Sequence, residues 1–471
     1  MKKELSVSLA LFPIFTIIIT ASLSVFIWSA GMHFPLIFGI IAAGLISYLC
    51  GWKWDEIQTM MVNGVSRALP AVFILLIIGT IIGSWIASGV IPTIIYYGLT
   101  IIKPEIFVPI VALVTGIVAV TLGSSFTSIA TIGLAFMVIG EGLGFPAGLV
   151  AGAVISGAFF GDKLSPVSDT TNVAPAMADT DLFSHVKHML WDTLPAFAIS
   201  LILFWIVSNT DSGNGITDET TITNIKNGLD TIFVIHPLLL LMPILTVVLM
   251  IKRLPAIPTL ITVSLLGALL AVTIQGISVS TIIQTMTSGF SGESNVPAIN
   301  SLLNRGGLTS MLGTIAMLIL ATALGGVLES SGAFHVLTRK IMMKVRKTGS
   351  LIASTVLATF MIAFATGAQF LAIILPARTF VDKYKDMGID TKNLSRAVES
   401  AGTVGINLVP WGVPAVFAAG IFGLNPGEFI PYSFFAFLVP LINILFGFTG
   451  WTISKKDYKK ESLLGKGEQV L

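Results

Sequence analysis

The sequence predicts an all-α polytopic membrane protein built from two inverted-topology repeats, each with five crossings, a re-entrant hairpin and a broken helix. The 471 residues are 54% hydrophobic and 11% charged, whereas a soluble domain carries about 25% charged residues. Several apolar runs reach the roughly 20 residues that a bilayer-spanning helix needs. An internal repeat also matches glycines, prolines and polar interruptions between the two halves of the chain.

The predicted crossings follow the apolar runs in chain order. The run from Val7 to Trp28 is longer than the about 7–15 apolar residues of a signal peptide, so we interpret it as a retained first span. Segments 104–142 and 349–380 are interrupted by short glycine-containing stretches and are predicted to be the two hairpins. The predicted crossings are 7–28, 34–51, 67–88, 146–178 (broken), 190–208, 231–251, 255–275, 309–330, 396–420 (broken) and 430–452.

The basic residues predict which ends of the spans face the cytoplasm. Counting alternate spans from a cytoplasmic N-terminus puts the Lys and Arg clusters inside and both termini in the cytoplasm. The basic segment 333–347 is predicted to be an interfacial amphipathic helix. The resulting organisation is a first repeat at 1–208, an acidic external linker at 209–230, a second repeat at 231–452 and a cytoplasmic tail at 453–471.

The internal repeat aligns the interrupted segments of one half with those of the other. The matched pairs include Gly123 with Gly367, Gly161 with Gly405 and Pro166 with Pro410. Because each repeat holds an odd number of crossings, the two halves must have opposite orientation. Inverted repeats with broken helices at corresponding positions are typical of secondary transporters, whose binding site lies where the breaks converge.

The break in the first half, residues 161–172, is the main candidate site. Ionisable groups at membrane depth are expected to be functional, and oxygen donors suit Na⁺. The alternative is a polar loop at the membrane surface, but the matching stretch 405–416 is too apolar for that. The candidates are Asp162, Lys163, Ser165, Ser168, Asp169, Thr170, Thr171 and Asn172, with Asp162 and Asp169 as the Na⁺-binding carboxylates.

The hairpin tips and the second break supply the remaining candidates. For the tips, the alternative is helix packing by small residues; for Glu399, it is a salt bridge to Arg396. The tip candidates are Gly123, Ser124, Ser125 and Thr127 in the first half and Thr366, Gly367 and Gln369 in the second; Glu399, Ser400, Thr403 and Asn407 lie at the second break.

If one carboxylate binds Na⁺ and H⁺ in turn, it is predicted to be Asp169, with Glu399 as the second candidate. Asp162 has Lys163 beside it, either as a charge partner or as a cation that competes with Na⁺. We therefore expect Asp162 to act mainly in structure or charge balance. Asp169 has hydroxyl and amide neighbours and no adjacent cation. His185 and His188 are predicted to be interfacial rather than proton carriers.

Composition and spacing argue against several other functions. The net charge of +2 suggests no nucleic-acid partner, and the single cysteine, Cys50, allows no internal disulfide. No zinc or iron ligand spacing is present, so we expect no cofactor. An intramembrane aspartyl protease would need two catalytic aspartates on separate helices, whereas Asp162 and Asp169 share one segment, so we expect no enzyme. A channel is the other alternative, but inverted repeats suit a carrier better.

The string from Gly161 to Asn172, Gly-Asp-Lys-Leu-Ser-Pro-Val-Ser-Asp-Thr-Thr-Asn, resembles the characteristic segment of the NhaC-type Na⁺/H⁺ antiporter family, within the larger ion-transporter superfamily. The resemblance implies a secondary active antiporter in the plasma membrane that extrudes Na⁺ in exchange for H⁺. The alternative is a malate/lactate-type exchanger of small organic acids. The hairpin tips, Gly-Ser-Ser-Phe and Gly-Ala-Gln-Phe, depart from the superfamily's paired Ser-Asn-Thr tips. The expected partners are the lipid bilayer, Na⁺, H⁺, small carboxylates and a second copy in a homodimer.

Overall fold

The protein is helical throughout the part of the chain that the structure describes. This computed structural model describes residues 5–28, 30, 32–101, 104–166, 168–210, 219–252, 254–293, 299–300, 303–333, 336, 345–456 and 458. Across these residues the only extended pairing is an isolated bridge between Ile389 and Lys455. Most of the predicted interfacial helix at 333–347 lies outside the described residues.

The helices of the first half follow the predicted order, with two additions. Trp54–Ser66 and Val90–Ile101 form helices that the sequence analysis did not assign. The helices are Val7–Ser22, His33–Leu49, Trp54–Ser66, Leu69–Ala87, Val90–Ile101, Pro104–Leu122, Ser125–Ser128, Leu134–Gly142, Ala147–Leu164, Asp169–Met177 and Leu182–Ser208, with π-helical turns at Leu23–Ile27 and Ile129–Gly133.

The helices of the second half begin inside the predicted linker, at Glu219. The described helices are Glu219–Ile232, Leu241–Ile251, Ala256–Thr273, Val279–Ser288, Leu312–Ser330, Thr348–Thr366, Gln369–Asp386, Lys392–Glu399, Val413–Phe422, Pro426–Phe429 and Phe434–Thr449. A π-helical turn lies at Ser400–Val404, and 3₁₀ turns lie at Pro237–Leu240, Leu308–Met311, Gly405–Leu408 and Ile430–Tyr432.

The length and apolar character of these helices identify a multi-pass membrane protein. Among the described residues, seven helices are long and apolar enough to cross a membrane, or up to ten if each bent pair counts as one span. One bent pair, Thr223–Ile232 with Pro237–Thr246, turns by 97° and lies where a single span over 231–251 was predicted. The predicted spans at 7–28 and 34–51 are shorter apolar helices.

Each half contains a hairpin whose tip carries a glycine. The first hairpin, residues 104–142, turns at Gly123, and the second, residues 348–386, turns at Gly367. Their φ angles are 66° and 62°, in the left-handed region where a side chain costs about 1–2 kcal/mol. The sequence therefore places glycine where each apolar segment has to reverse.

Each half also contains a helix that is interrupted within its apolar length. The first broken helix consists of Ala147–Leu164 and Asp169–Met177, and the second, residues 392–422, bends by 42°. The first broken helix packs closely on the first arm of the first hairpin. Gly157 and Gly161 allow this approach, because a Cβ at either position would collide with the backbone of Ala112 or Val120.

Candidate functional site

The carboxylate of Asp162 lies where the tip of the first hairpin meets the break of the first broken helix. The Ser125 hydroxyl donates to Oδ2 at 2.7 Å, and the Ser168 hydroxyl donates to Oδ1 at 2.6 Å. Asp162 is only 5% exposed. Both carboxylate oxygens are therefore held by hydroxyls from two different interruptions of the helical backbone, and hydroxyl oxygens also offer lone pairs to a small cation.

Three other polar residues of the first break satisfy its backbone. The Ser165 hydroxyl donates to the Val120 carbonyl at 2.8 Å, which ties the break to the hairpin. The Thr171 hydroxyl donates to the Asp162 carbonyl at 2.9 Å, and the Asn172 amide donates to the Ser168 carbonyl at 2.7 Å. An unpaired carbonyl inside the bilayer would cost several kcal/mol, so these residues keep the interruption stable.

Asp169 is placed differently from Asp162. It is the first residue of helix Asp169–Met177, and its side chain is exposed. The next residue, Thr170, is buried, and its hydroxyl lies 3.1 Å from that of Ser168. The structure thus brings Thr170 into the Asp162 cluster and leaves the Asp169 carboxylate outside it.

At the tip of the first hairpin, Ser124 and Thr127 form a cap. The Ser124 hydroxyl accepts a hydrogen bond from the Thr127 backbone amide at 3.3 Å, at the start of the short helix Ser125–Ser128. This cap orients the turn from which Ser125 reaches Asp162. Gly123 and Ser124 thus shape the tip, and Ser125 supplies its contact with the carboxylate.

The second hairpin contacts the second broken helix in a corresponding way. The Gly367 carbonyl accepts a hydrogen bond from the Val413 amide at 2.7 Å, and the Gln369 side chain donates to the Thr403 carbonyl at 3.4 Å. The Thr366 hydroxyl accepts from the Ala368 amide at 3.0 Å and shapes the tip. Each hairpin tip thus contacts the broken helix of its own half of the chain.

Glu399 is a second buried carboxylate, and it faces the first half of the chain. The Thr403 hydroxyl donates to its Oε1 at 2.8 Å. Glu399 interacts electrostatically with Lys163 and Asp162, and the Thr170 hydroxyl approaches it. Within the described residues, Oε2 of Glu399 is buried without a hydrogen-bond partner. This oxygen is free to bind a proton or a cation.

Asn407 lies one turn beyond Thr403. Its side-chain amide donates to the Val404 carbonyl at 2.9 Å. Its Oδ1 is also buried without a partner among the described residues. The second break therefore holds two unpaired side-chain oxygens, whereas the first break holds a carboxylate with both oxygens paired.

Lys163 does not have Asp162 as its charge partner in the structure. Its ammonium group contacts Asp192 Oδ2 at 3.5 Å and donates to the Ser400 hydroxyl oxygen at 3.0 Å. In the described chain the ion pair of Lys163 is thus with Asp192. The alternative in which Lys163 is the charge partner of Asp162 is wrong, and the alternative in which it competes with Na⁺ stays a prediction. Lys163, Asp192 and Ser400 are completely buried.

Asp192 is the functional candidate that the sequence analysis missed. It also accepts a hydrogen bond from the Asn443 side chain at 3.0 Å. The signal was present, because Asp192 is an ionisable residue inside a predicted span. Asn443 lies in the last span, where nothing local distinguishes it from a packing residue.

The two histidines, which were predicted to lie at the membrane interface, are buried inside the protein. His185 is completely buried and His188 is 7% exposed. His185 Nδ1 lies 2.8 Å from the Ser395 hydroxyl, and His188 Nε2 lies 3.2 Å from Asn393 Oδ1. These contacts join helix Leu182–Ser208 to the second broken helix.

Arg396 is not the partner of Glu399, which was the alternative for that carboxylate. Its Nη1 donates to the Thr452 hydroxyl at 3.0 Å, and it interacts electrostatically with Asp192. Its Nε and Nη2 groups are buried with no hydrogen-bond partner among the described residues. A buried guanidinium with free donors is a candidate contact for an anion.

The chain is similar in sequence to known antiporters over most of its length. The model of the Na⁺/H⁺ antiporter family matches residues 157–451, which include both breaks. The Na⁺/H⁺ antiporter NhaC of Alkalihalophilus pseudofirmus is 37% identical over 458 residues, covering 97% of this chain and 98% of that protein.

Two further relatives carry other names. The malate-2H⁺/Na⁺-lactate antiporter of Bacillus subtilis is 36% identical over 424 residues, covering 89% of this chain and 90% of that protein. The arginine/ornithine antiporter ArcD of Halobacterium salinarum is 35% identical over 458 residues, covering 97% and 94%. The extent of the family match and of these identities shows that the chain belongs to the Na⁺/H⁺ antiporter family.

Proposed function

We propose that this protein is a secondary active antiporter that extrudes Na⁺ in exchange for H⁺. The observation that carries the proposal is the buried Asp162 carboxylate, held by Ser125 from the hairpin tip and Ser168 from the helix break. The names of the NhaC relatives support the same activity. We infer a transporter rather than an enzyme, because the matched relatives are antiporters.

Asp162 is our candidate for the carboxylate that Na⁺ and H⁺ occupy in turn. In the structure the two hydroxyls donate to the carboxylate; when Na⁺ is bound, they would rotate and offer lone pairs to the cation. A proton on Asp162 removes the negative charge that attracts Na⁺. The two ions therefore exclude each other, which is the requirement for exchange. The role of Asp169 as the carboxylate shared by Na⁺ and H⁺ stays a prediction, and its exposed position makes it the weaker candidate.

The charges around the site favour competition for a single cation. The buried cluster contains the carboxylates of Asp162, Asp192 and Glu399 and the cations of Lys163 and Arg396. With all five ionised and the histidines neutral, one negative charge remains. One Na⁺ or one proton neutralises it, and an uncompensated charge in a buried site is costly.

The finer architecture that goes with this function is also a proposal. We infer two inverted repeats with ten crossings, both termini in the cytoplasm and a plasma-membrane location. The corresponding hairpins and breaks of the two halves support the repeat, and broken helices of this kind place ion sites near the middle of the bilayer in secondary transporters. Homodimerisation remains an expectation.

Exchange of small organic acids coupled to Na⁺ and H⁺ is the second candidate. It is favoured by the free donors of buried Arg396, since a guanidinium fork suits a carboxylate, and by the name of the malate/lactate relative. Proteoliposomes with an internal pH indicator distinguish the two. Na⁺/H⁺ antiport predicts sodium-driven proton flux without any organic acid, whereas organic-acid exchange predicts flux only when malate or lactate is present.

A further inference from the structure

The ion pair between Lys163 and Asp192 lies directly behind the proposed cation site. Asp192 Oδ2 receives three donors: Ser400 at 2.6 Å, Asn443 at 3.0 Å and Lys163 at 3.5 Å. The Thr193 hydroxyl donates to Oδ1 at 3.1 Å. This carboxylate is thus the centre of a buried polar cluster that joins the helices Ala147–Leu164, Leu182–Ser208 and Phe434–Thr449 to the π-helical turn Ser400–Val404 of the second broken helix.

The Lys163 ammonium has other carboxylates near it. Lys163 follows Asp162 in the chain and interacts electrostatically with Glu399. A lysine ammonium is a compact charge on a flexible four-carbon stem with three rotatable donors. If Asp192 released it, the ammonium would be attracted to the carboxylates that the proposed function assigns to Na⁺. The other charged or titratable groups facing this cluster are Arg396, His185 and His188.

We propose that Asp192 is a positioning residue that sets the Na⁺ affinity by holding the Lys163 ammonium away from Asp162 and Glu399. Ser400 and Asn443 fix the Asp192 carboxylate in the orientation that holds the ammonium. This inference rests on the proposed function, because it assumes that a monovalent cation binds at Asp162. It assigns Asp192 no contact with the transported ion.

The test compares Asp192→Asn with the double variant Asp192→Asn/Lys163→Gln in the purified full-length protein. The single variant leaves the ammonium without its carboxylate, and we expect the Na⁺ concentration for half-maximal proton flux to rise about tenfold or more, which corresponds to at least about 1.4 kcal/mol. The double variant removes both charges. We expect its Na⁺ concentration for half-maximal proton flux to lie within about threefold of the wild-type value, which corresponds to about 0.6 kcal/mol.

The double variant also guards against a folding defect. Removing one partner of a buried ion pair is strongly destabilising because it leaves an uncompensated buried charge, whereas the double variant leaves no such charge. Arg67→Gln is the matched control, because it breaks an exposed ion pair with Glu329 at 2.7 Å and should leave the Na⁺ response unchanged. Equal impairment of the single and double variants would overturn the proposal, because Asp192 would then not act through Lys163.

A binding measurement separates this proposal from the proposed function. The probe is the rise in thermal unfolding temperature of detergent-purified protein in NaCl compared with choline chloride. We expect Asp192→Asn to lose the Na⁺-specific rise in unfolding temperature and the double variant to regain it. This result would support the positioning role even if the wild type exchanges no protons and the antiport assignment fails. A wild type that shows no Na⁺-specific rise would overturn the positioning role itself.

Discussion

Replacing Asp162 by asparagine should abolish Na⁺-coupled proton flux while leaving the protein folded. Asparagine keeps the shape of the side chain. Its oxygen can accept from one of the two hydroxyls, Ser125 or Ser168, and its NH₂ group can donate to the other once that hydroxyl turns. The loss of two charge-assisted hydrogen bonds is offset by removing a buried charge, so we expect the free energy of unfolding to change by no more than about 1–2 kcal/mol.

The effect on cation binding should be much larger. A unit charge about 4 Å from a bound cation contributes about 4 kcal/mol at an effective dielectric constant of about 20, and about 1 kcal/mol in bulk water. The lower dielectric constant applies to Asp162, which is only 5% exposed, and the value for bulk water applies to Asp169, which is exposed. Asp162→Asn should therefore weaken Na⁺ binding by about three orders of magnitude. Asp169→Asn should weaken it by at most about fivefold, because the Asp169 carboxylate lies outside the Asp162 cluster.

The assay is Na⁺-driven proton flux in proteoliposomes, measured over a range of Na⁺ concentrations and at several pH values. Asp169→Asn is the matched control, since it makes the same chemical change seven residues away. The assignment of Asp162 would be refuted if the Na⁺ concentration for half-maximal flux of Asp162→Asn stayed within about tenfold of the wild-type value, which corresponds to about 1.4 kcal/mol. If Asp169→Asn alone abolished flux, Asp169 would be the coupling group; if both variants were active, Glu399 would be tested next.

Three further predictions concern the hydroxyl ligand, the hairpin tip and the topology. Ser168→Ala removes the donor at 2.6 Å from Asp162 and should weaken Na⁺ binding by about 1–3 kcal/mol in the flux assay, with little loss of folded protein. Gly367→Ala should lower the thermal unfolding temperature, because φ at Gly367 is 62° and the added Cβ would lie 2.9 Å from the Trp411 carbonyl oxygen. Gly313→Ala is the control and should leave that temperature unchanged, because its added Cβ would meet no atom within 4 Å. In a protein whose Cys50 has been replaced, Thr217→Cys should react with a membrane-impermeant thiol reagent added outside intact cells, whereas Ser454→Cys should not. The opposite labelling pattern would overturn the predicted topology.

The sequence predicted the hairpins and breaks well because their signals are local. Glycine at a reversal and a cluster of hydroxyls within an apolar run each follow from the cost of unpaired backbone in a membrane. The contact between the first tip and the first break could also be expected, since each interruption needs polar partners to satisfy its carbonyls. Ser165, which donates to the Val120 carbonyl, has this role.

The partner of each buried charge could not be predicted in the same way. Lys163 and Asp162 are neighbours in the sequence, yet adjacent residues on a helix do not face each other. The Lys163 side chain points instead toward Asp192, 29 residues later in the chain. The exposure of Asp169 was equally hidden, because it depends on which face of helix Asp169–Met177 packs inward.

The hydrogen bonds of the site divide into those within one half of the chain and those between halves. Asp162 is held by Ser125 and Ser168, all within the first half. The Asp192 cluster reaches across, through Ser400 and Asn443, as do the contacts of the two histidines. If the two halves move against each other during exchange, the Asp162 ligands travel as one unit, whereas the contacts to Asp192 must break and form again. Movement of the halves would then be coupled to the position of Lys163, and through it to the affinity of the site for Na⁺.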